Sequence, residues 1–147
     1  MDERPWGRIT LDHLGIATED LDEAMRFWSL MGLWPSGEDE TVTDQGVTTR
    51  FLPLDDQGAR PPTQIELLEP TGQDTPVGRF LERRGPGIQQ VCFAVDDLAS
   101  LLDHLHDSGI RLINRTPATG AHGSMIAFVH PRSTGGILVE LTQRDVQ

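Results

Sequence analysis

Residues 8–34 read RITLDHLGIATEDLDEAMRFWSLMGLW, and residues 87–111 read GIQQVCFAVDDLASLLDHLHDSGIR. In both stretches a β-prone, largely apolar run carries one polar, ligand-type side chain, then turns and passes into an amphipathic helix. At an offset of 77 positions (13 to 90) His13 falls on Gln90, Asp20-Leu21 on Asp97-Leu98, Met25 on Leu102, and Gly32 on Gly109. One unit has been used twice. A repeat at fixed offset constrains a fold more tightly than local propensity does.

Working outward from the first copy, residues 8–18 read as a half-buried strand with Ile9, Leu11 and His13 on one side. Asp20 is a helix N-cap with Glu23 three residues on, and Leu21, Ala24, Met25, Trp28 and Met31 recur at helical spacing up to Gly32. Residues 1–7 read as a loose lead-in. The polar passage GEDETVTDQG (37–46) suits a short edge strand and a loop, and strands follow at 47–54 and 63–69. A linker holds a short helix capped by Thr75 or Asp74, with Pro76 in its first turn. The second copy predicts a strand at 87–95, a helix at 97–108, a short strand at 110–114, then strands at 124–130 and 136–142. Each half is therefore βαβββ. The expected fold class is α+β: two modules, 8–70 and 87–143, in a single 1–147 domain whose curved mixed sheet surrounds a cleft.

Charge and composition narrow the function. The formal charge of −11 argues against nucleic-acid or anionic-membrane partners, which need a positive footprint. All 12 basic residues are arginine, so lysine Schiff-base chemistry is excluded. The single cysteine, Cys92, lies in an apolar run and reads as a buried thiol. No apolar run approaches the ~20 residues needed to span a bilayer, and the charged start MDERPWGR lacks a signal-like apolar core. A cytoplasmic protein is expected.

The chemistry-bearing residues follow the repeat. Glu66 sits inside Ile65-Glu66-Leu67-Leu68 and Glu140 inside Ile137-Leu138-Val139-Glu140-Leu141. A carboxylate inside such a strand is costly unless paired or bound to a cation. Each module thus offers an imidazole or carboxamide near its start and a glutamate near its end: His13 and Glu66, then Gln90 and Glu140. One nitrogen and three oxygen donors suit a divalent metal ion such as Co, Mn, Ni, Fe, Mg or Zn.

LDHLGIA, QGVTTRFLPL, IELLEP, FLERRGPGIQQVCFAVDDL and IAFVHPRSTGGILVEL, in that order across nearly the whole chain, resemble the methylmalonyl-CoA epimerase pattern. That family belongs to the vicinal oxygen chelate superfamily, with glyoxalase I and the extradiol dioxygenases. The resemblance implies paired βαβββ modules enclosing a metal cleft, a metal-dependent isomerase, and likeness of His13, Glu66, Gln90 and Glu140 to the metal-ligand positions. It also implies a small-molecule substrate of acyl-CoA type and a homodimer. The Gln90 position is histidine in the epimerases. Their proton-transfer base, three residues after the glycine of the QGV motif, matches Thr49, and their basic residue before the IAFVHP-like strand matches Met125.

An epimerase removes the α-hydrogen from one face and returns a proton to the other, which ordinarily takes two bases. Glu140 resembles one of them; Thr49 occupies the position of the other. In glyoxalases the ligating glutamates are themselves the bases, so Glu66 and Glu140 can carry the same chemistry. Arg132, Ser133 and Thr134 resemble the family's turn near the acyl substrate, with Arg132 suited to an anion. His104 and His106 read as solvent-facing helix residues, Arg83-Arg84 as a solvated face, and His122 as a loop residue able to replace a lost polar group. Three classes remain open from the sequence: an epimerase-like isomerase working through a metal-stabilised enolate, a glyoxalase-type isomerase or biosynthetic tailoring enzyme with another substrate, and a non-catalytic small-molecule binding or resistance protein.

Overall fold

Asp20 and Asp97, equivalent in the repeat, have extended backbones and cap helices with their side chains. Asp20 Oδ1 accepts the Glu23 N–H at 3.0 Å, and Asp97 Oδ1 accepts the Ser100 N–H at 3.1 Å. Each satisfies one of the donors a helix start leaves orphaned, worth about 1 kcal/mol. They open α1 (Leu21–Leu30) and α3 (Leu98–Asp107). Between them α2 (Pro76–Arg84) is capped by Thr75, whose Oγ1 accepts the Gly78 N–H at 3.0 Å. Asp74 is instead ion-paired to Arg79 at 3.1 Å.

The computed structural model describes residues 3–55, 58 and 61–143. Its strands are β1 (Ile9–Ala17), β2 (Glu40–Val42), β3 (Val47–Pro53), β4 (Gln64–Pro70), β5 (Gly87–Val95), β6 (Ala118–Thr119), β7 (Met125–Val129) and β8 (Val139–Gln143). The chain divides into two compact units. One is His13–Gln89; the other comprises Met1–Asp12 and Gln90–Gln147.

In the His13–Gln89 unit the strands run in the order β2-β3-β4-β1. The β2–β3 and β3–β4 pairs are antiparallel, and β1 is parallel to β4. Leu21 of α1 packs on Leu52, Ile65 and Leu67, with Leu14, Ile16, Met25 and Trp28 around them. Phe27, next to Trp28, is 60% exposed.

The other unit repeats the pattern as β6-β7-β8-β5, with β6–β7 and β7–β8 antiparallel and β5 parallel to β8. Leu98, Leu101 and Leu102 of α3 bury against Val95, Ala127, Val129 and Leu141. Burying each leucine fully contributes about 1.5–3 kcal/mol. This α+β arrangement of two βαβββ modules follows the repeat, and it is the vicinal oxygen chelate fold that the family resemblance implies. Among the described residues no helix is long and apolar enough to cross a membrane.

Two expectations are corrected. Residues 3–7 are not a loose lead-in: Trp6 packs on the α3 core cluster, its ring centroid is 4.7 Å from that of His104, and its carbonyl accepts the Asp97 N–H at 3.0 Å. Gly7, at φ +83°, lies so close to Asp96 that a Cβ would collide with that side chain. A single tryptophan among charged residues gives no periodic signal, and only tertiary contact reveals its anchoring. Nor is 110–114 a strand. It meets the end of β7 in one isolated bridge, Leu112 to Val129, while Ala118 and Thr119 from the glycine-rich passage pair with the beginning of that strand.

Candidate active site

Strand register decides which side chains share a face. His13 on β1 stands opposite Gln64 and Gly15 opposite Glu66, while on β3 Phe51 stands opposite Glu66 and Thr49 opposite Leu68. Ladder partners project to the same side. His13, Thr49, Phe51 and Glu66 therefore lie on one face, and Leu52, Ile65 and Leu67 lie on the other, under α1. The His13 face also carries the buried Ala17, Val47 and Leu68, and on it His13, Thr49 and Glu66 are only 4%, 2% and 4% exposed.

His13 Nε2 lies 3.5 Å from Glu66 Oε1, and the His13 ring meets Phe51 edge-on at 5.8 Å. Two donors each ~2.1 Å from a shared divalent ion in a tetrahedral shell stand about 3.4 Å apart. The imidazole–carboxylate spacing fits two neighbouring ligands of such an ion. Burial supports the same reading, because a desolvated carboxylate needs positive charge or donors nearby.

The other unit builds its pair by the same register. Glu140 on β8 stands opposite Cys92 on β5 and opposite Phe128 on β7, as Glu66 stands opposite Gly15 and Phe51. Gly15 and Cys92 each follow the repeat position, His13 or Gln90, by two residues. Gln90 and Glu140 lie on the face away from α3, 6% and 7% exposed. Gln90 Nε2 donates to Glu140 Oε2 at 2.8 Å. Here the carboxamide holds the carboxylate rather than lying beside it at ligand spacing, so its oxygen would have to turn away from Glu140 to serve an ion. Cys92, between them on β5, is fully buried as expected.

Residues 12–128 match the family model described as the glyoxalase/bleomycin resistance protein/dioxygenase superfamily. The chain belongs to that superfamily. Within it the resemblance is to epimerases. A mitochondrial methylmalonyl-CoA epimerase of Dictyostelium discoideum is 36% identical over 135 residues, 91% of this chain and 78% of the relative. An ethylmalonyl-CoA/methylmalonyl-CoA epimerase of Cereibacter sphaeroides is 37% identical over 136 residues, 90% of this chain and 96% of the relative. A Streptomyces coelicolor methylmalonyl-CoA epimerase variant, solved in complex with 2-nitronate-propionyl-CoA, superposes with a TM-score of 0.87 at 32% identity, covering 93% of this chain and 95% of that one.

Against that epimerase-like background the substituted positions gain meaning. Thr49, which the resemblance matches to the family base, spends its hydroxyl on the Glu40 carbonyl at 3.3 Å. Met125 has the parity of Ala127 and Val129, which pack toward α3, and is 41% exposed; the strand does not bring it to the Gln90–Glu140 face. Ser133 and Thr134 are already engaged, Ser133 by the backbone of residue 111 and Thr134 within its own turn. Ser133 Oγ accepts the Arg111 N–H at 2.9 Å, and Thr134 Oγ1 accepts the Ile137 N–H at 3.1 Å. Arg132 is exposed on that turn, where its N–H donates to His130 Nδ1 at 3.1 Å. Desolvation, then the positive charges of Arg111 and Arg132, hold His130 below its usual range.

Two residues of the His13–Glu66 face were passed over in the sequence. Phe51 reads as an ordinary core aromatic. Glu40 lies in the polar passage expected to hold a short edge strand, where no alternation of apolar residues says which side chain faces the sheet's interior face; the QGV turn that follows it was the available signal.

Proposed function

We propose that this chain is a metal-dependent epimerase that moves the proton α to a thioester carbonyl, with a 2-substituted malonyl-CoA such as methylmalonyl-CoA as substrate. The observation that carries the reading is the duplicated buried pair, an imidazole or carboxamide with a carboxylate, at equivalent registers of both repeats. Names of the relatives supply the substrate class.

His13 and Glu66 are the donors whose spacing fits a divalent ion. Such an ion, when bound, would supply Lewis-acid polarisation of the carbonyl oxygen as charge develops there. Glu140, held in one orientation by the Gln90 amide, is a carboxylate set up to accept and return a proton. Burial of these groups excludes water from them, which keeps a reactive enolate from random protonation. Arg132 on its exposed turn, with Arg111 nearby, offers positive charge to the anionic part of an acyl-CoA. A homodimer, implied by the resemblance, and a cytoplasmic location, expected from the sequence, belong to the same proposal.

Deuterium wash-in at C2 of methylmalonyl-CoA, with and without Co(II), tests the function. Exchange above the metal-alone background is expected. Its absence in a metal-loaded preparation rejects the epimerase reading and leaves small-molecule binding or another substrate.

A further inference from the structure

The face that carries His13 and Glu66 has one more titratable side chain. β2 pairs with β3 so that Glu40 stands directly opposite Thr49. Thr49 shares its face with Phe51, Glu66 and His13, so Glu40 projects to that face as well. Taking the alternate residues of β1, β2, β3 and β4 that make up this face, the titratable ones among those described are His13, Glu66 and Glu40. The other two are the close pair at 3.5 Å. Glu40 is half-buried on the edge strand of the same sheet.

A second feature fixes this orientation. Asp39 grips Arg50 with both oxygens, Oδ1 to Nε at 2.7 Å and Oδ2 to Nη2 at 2.8 Å, and Arg50 also reaches Asp22 of α1 at 2.9 Å. Arg50 lies opposite Leu67, on the α1 side of the sheet. The ion pair holds residue 39 on that side. Residue 39 immediately precedes β2, and residue 40, the strand's first, faces the other side through its pairing opposite Thr49. Thr49 adds its hydroxyl bond to the Glu40 carbonyl, which ties the two strands at this position.

We propose that Glu40 supplies the proton-transfer carboxylate that the Thr49 position lacks. Directly opposed residues on paired strands have Cβ atoms about 4.5–5.5 Å apart, within the span of a glutamate side chain. A carboxylate rooted at residue 40 can therefore lean over the small threonine and occupy the space a glutamate at residue 49 would fill. The inference rests on the epimerase reading above. In the step, the Glu40 carboxylate takes the C2 proton. The C–H electron pair becomes the enolate C–C double bond, and the thioester oxygen carries the negative charge. The second base, in its acid form, then delivers a proton to the opposite face of C2, so the substrate inverts with no net gain or loss of protons. Partial exposure lets the Glu40 proton exchange with solvent, so that in the reverse direction, where Glu40 is the acid, it delivers solvent deuterium to C2. Glu66 is the less suitable base, since a carboxylate committed to a cation loses basicity.

The test compares Glu40→Gln with the wild-type enzyme, using each epimer of methylmalonyl-CoA separately in deuterium oxide with Co(II). Glu40→Gln is expected to lower inversion at least about 100-fold. One epimer still exchanges its C2 hydrogen, through the remaining base and with retention, while the other epimer does not react. Adding Thr49→Glu to Glu40→Gln restores inversion, because the carboxylate returns to the same space from the neighbouring strand. Inversion within about threefold of wild type in Glu40→Gln overturns the proposal and assigns the role to Glu66. Equal loss of exchange for both epimers, with no rescue by Thr49→Glu, also overturns it, since that is the mark of a structural role. A wild-type enzyme that exchanges neither epimer rejects the epimerase reading itself, and the role of Glu40 with it.

Discussion

Gln90 hydrogen-bonds Glu140 at 2.8 Å, where the equivalent pair of the first repeat, His13 and Glu66, stands 3.5 Å apart. The register of the two pairs is the same, so the difference is chemical. A carboxamide has N–H groups to give a carboxylate and takes them up to it. A neutral imidazole nitrogen and a carboxylate oxygen have a reason to approach only through a proton or a cation.

Removing the Gln90 side chain's amide leaves Glu140 buried without that donor. Gln90→Leu, nearly unchanged in volume, is expected to cost about 1–3 kcal/mol, read as a lower urea midpoint at unchanged slope. Gln90→His adds an imidazole better matched to transition ions, and should tighten Co(II) binding in calorimetry.

His13 provides the nitrogen donor of the proposed ion site. In His13→Ala, dialysed against Co(II) and then buffer, elemental analysis should find bound metal well below the wild-type level of about one ion per chain. Chelation of the wild-type protein should abolish C2 exchange, and adding Co(II) back should restore it.

Asp39 carries the pH dependence that can be assigned. The hydrogen bonds from Arg50 hold its carboxyl below the usual carboxylate range, against the opposing pull of desolvation. A group depressed in the folded state stabilises above its unfolded pKa of about 3.9 and loses that contribution as pH falls through the folded value. Stability of the wild-type protein should therefore drop more steeply below about pH 4 than that of Asp39→Asn. The variant should be the less stable of the two at neutral pH, as followed by thermal unfolding across a pH series.

Leu102 is fully buried between α3 and its sheet. Leu102→Ala should destabilise by about 2–5 kcal/mol through lost transfer energy and the cavity left behind. Guanidinium unfolding measures it, and the hydrogen bond between Gln90 and Glu140 lies on the opposite face of the sheet.

The fold was largely legible in the chain because its signals are local and occur twice. Asp20 caps a helix at the predicted position, Asp97 caps the second helix at the equivalent repeat position, β5 spans the residues expected of it, and the His13–Gln90 offset relates two copies of one unit. Glutamates inside apolar strands likewise announce themselves, since a buried charge conflicts with its neighbours. The packing of Trp6 was not legible, nor was the pairing of β6 in place of 110–114. Short, polar or isolated segments have no periodicity to read, and their conformation is set by what they pair with.

By itself the sequence determined the repeated βαβββ plan and the four polar positions His13, Glu66, Gln90 and Glu140. Tertiary structure alone decided that Gln90 is spent on Glu140, that Thr49 is tied to a backbone carbonyl, and that Glu40 faces the same way as His13. The physical reason is that capping and alternation depend on residues a few positions apart. A hydrogen-bond partner or a cross-strand neighbour is chosen by the register between segments distant in the chain.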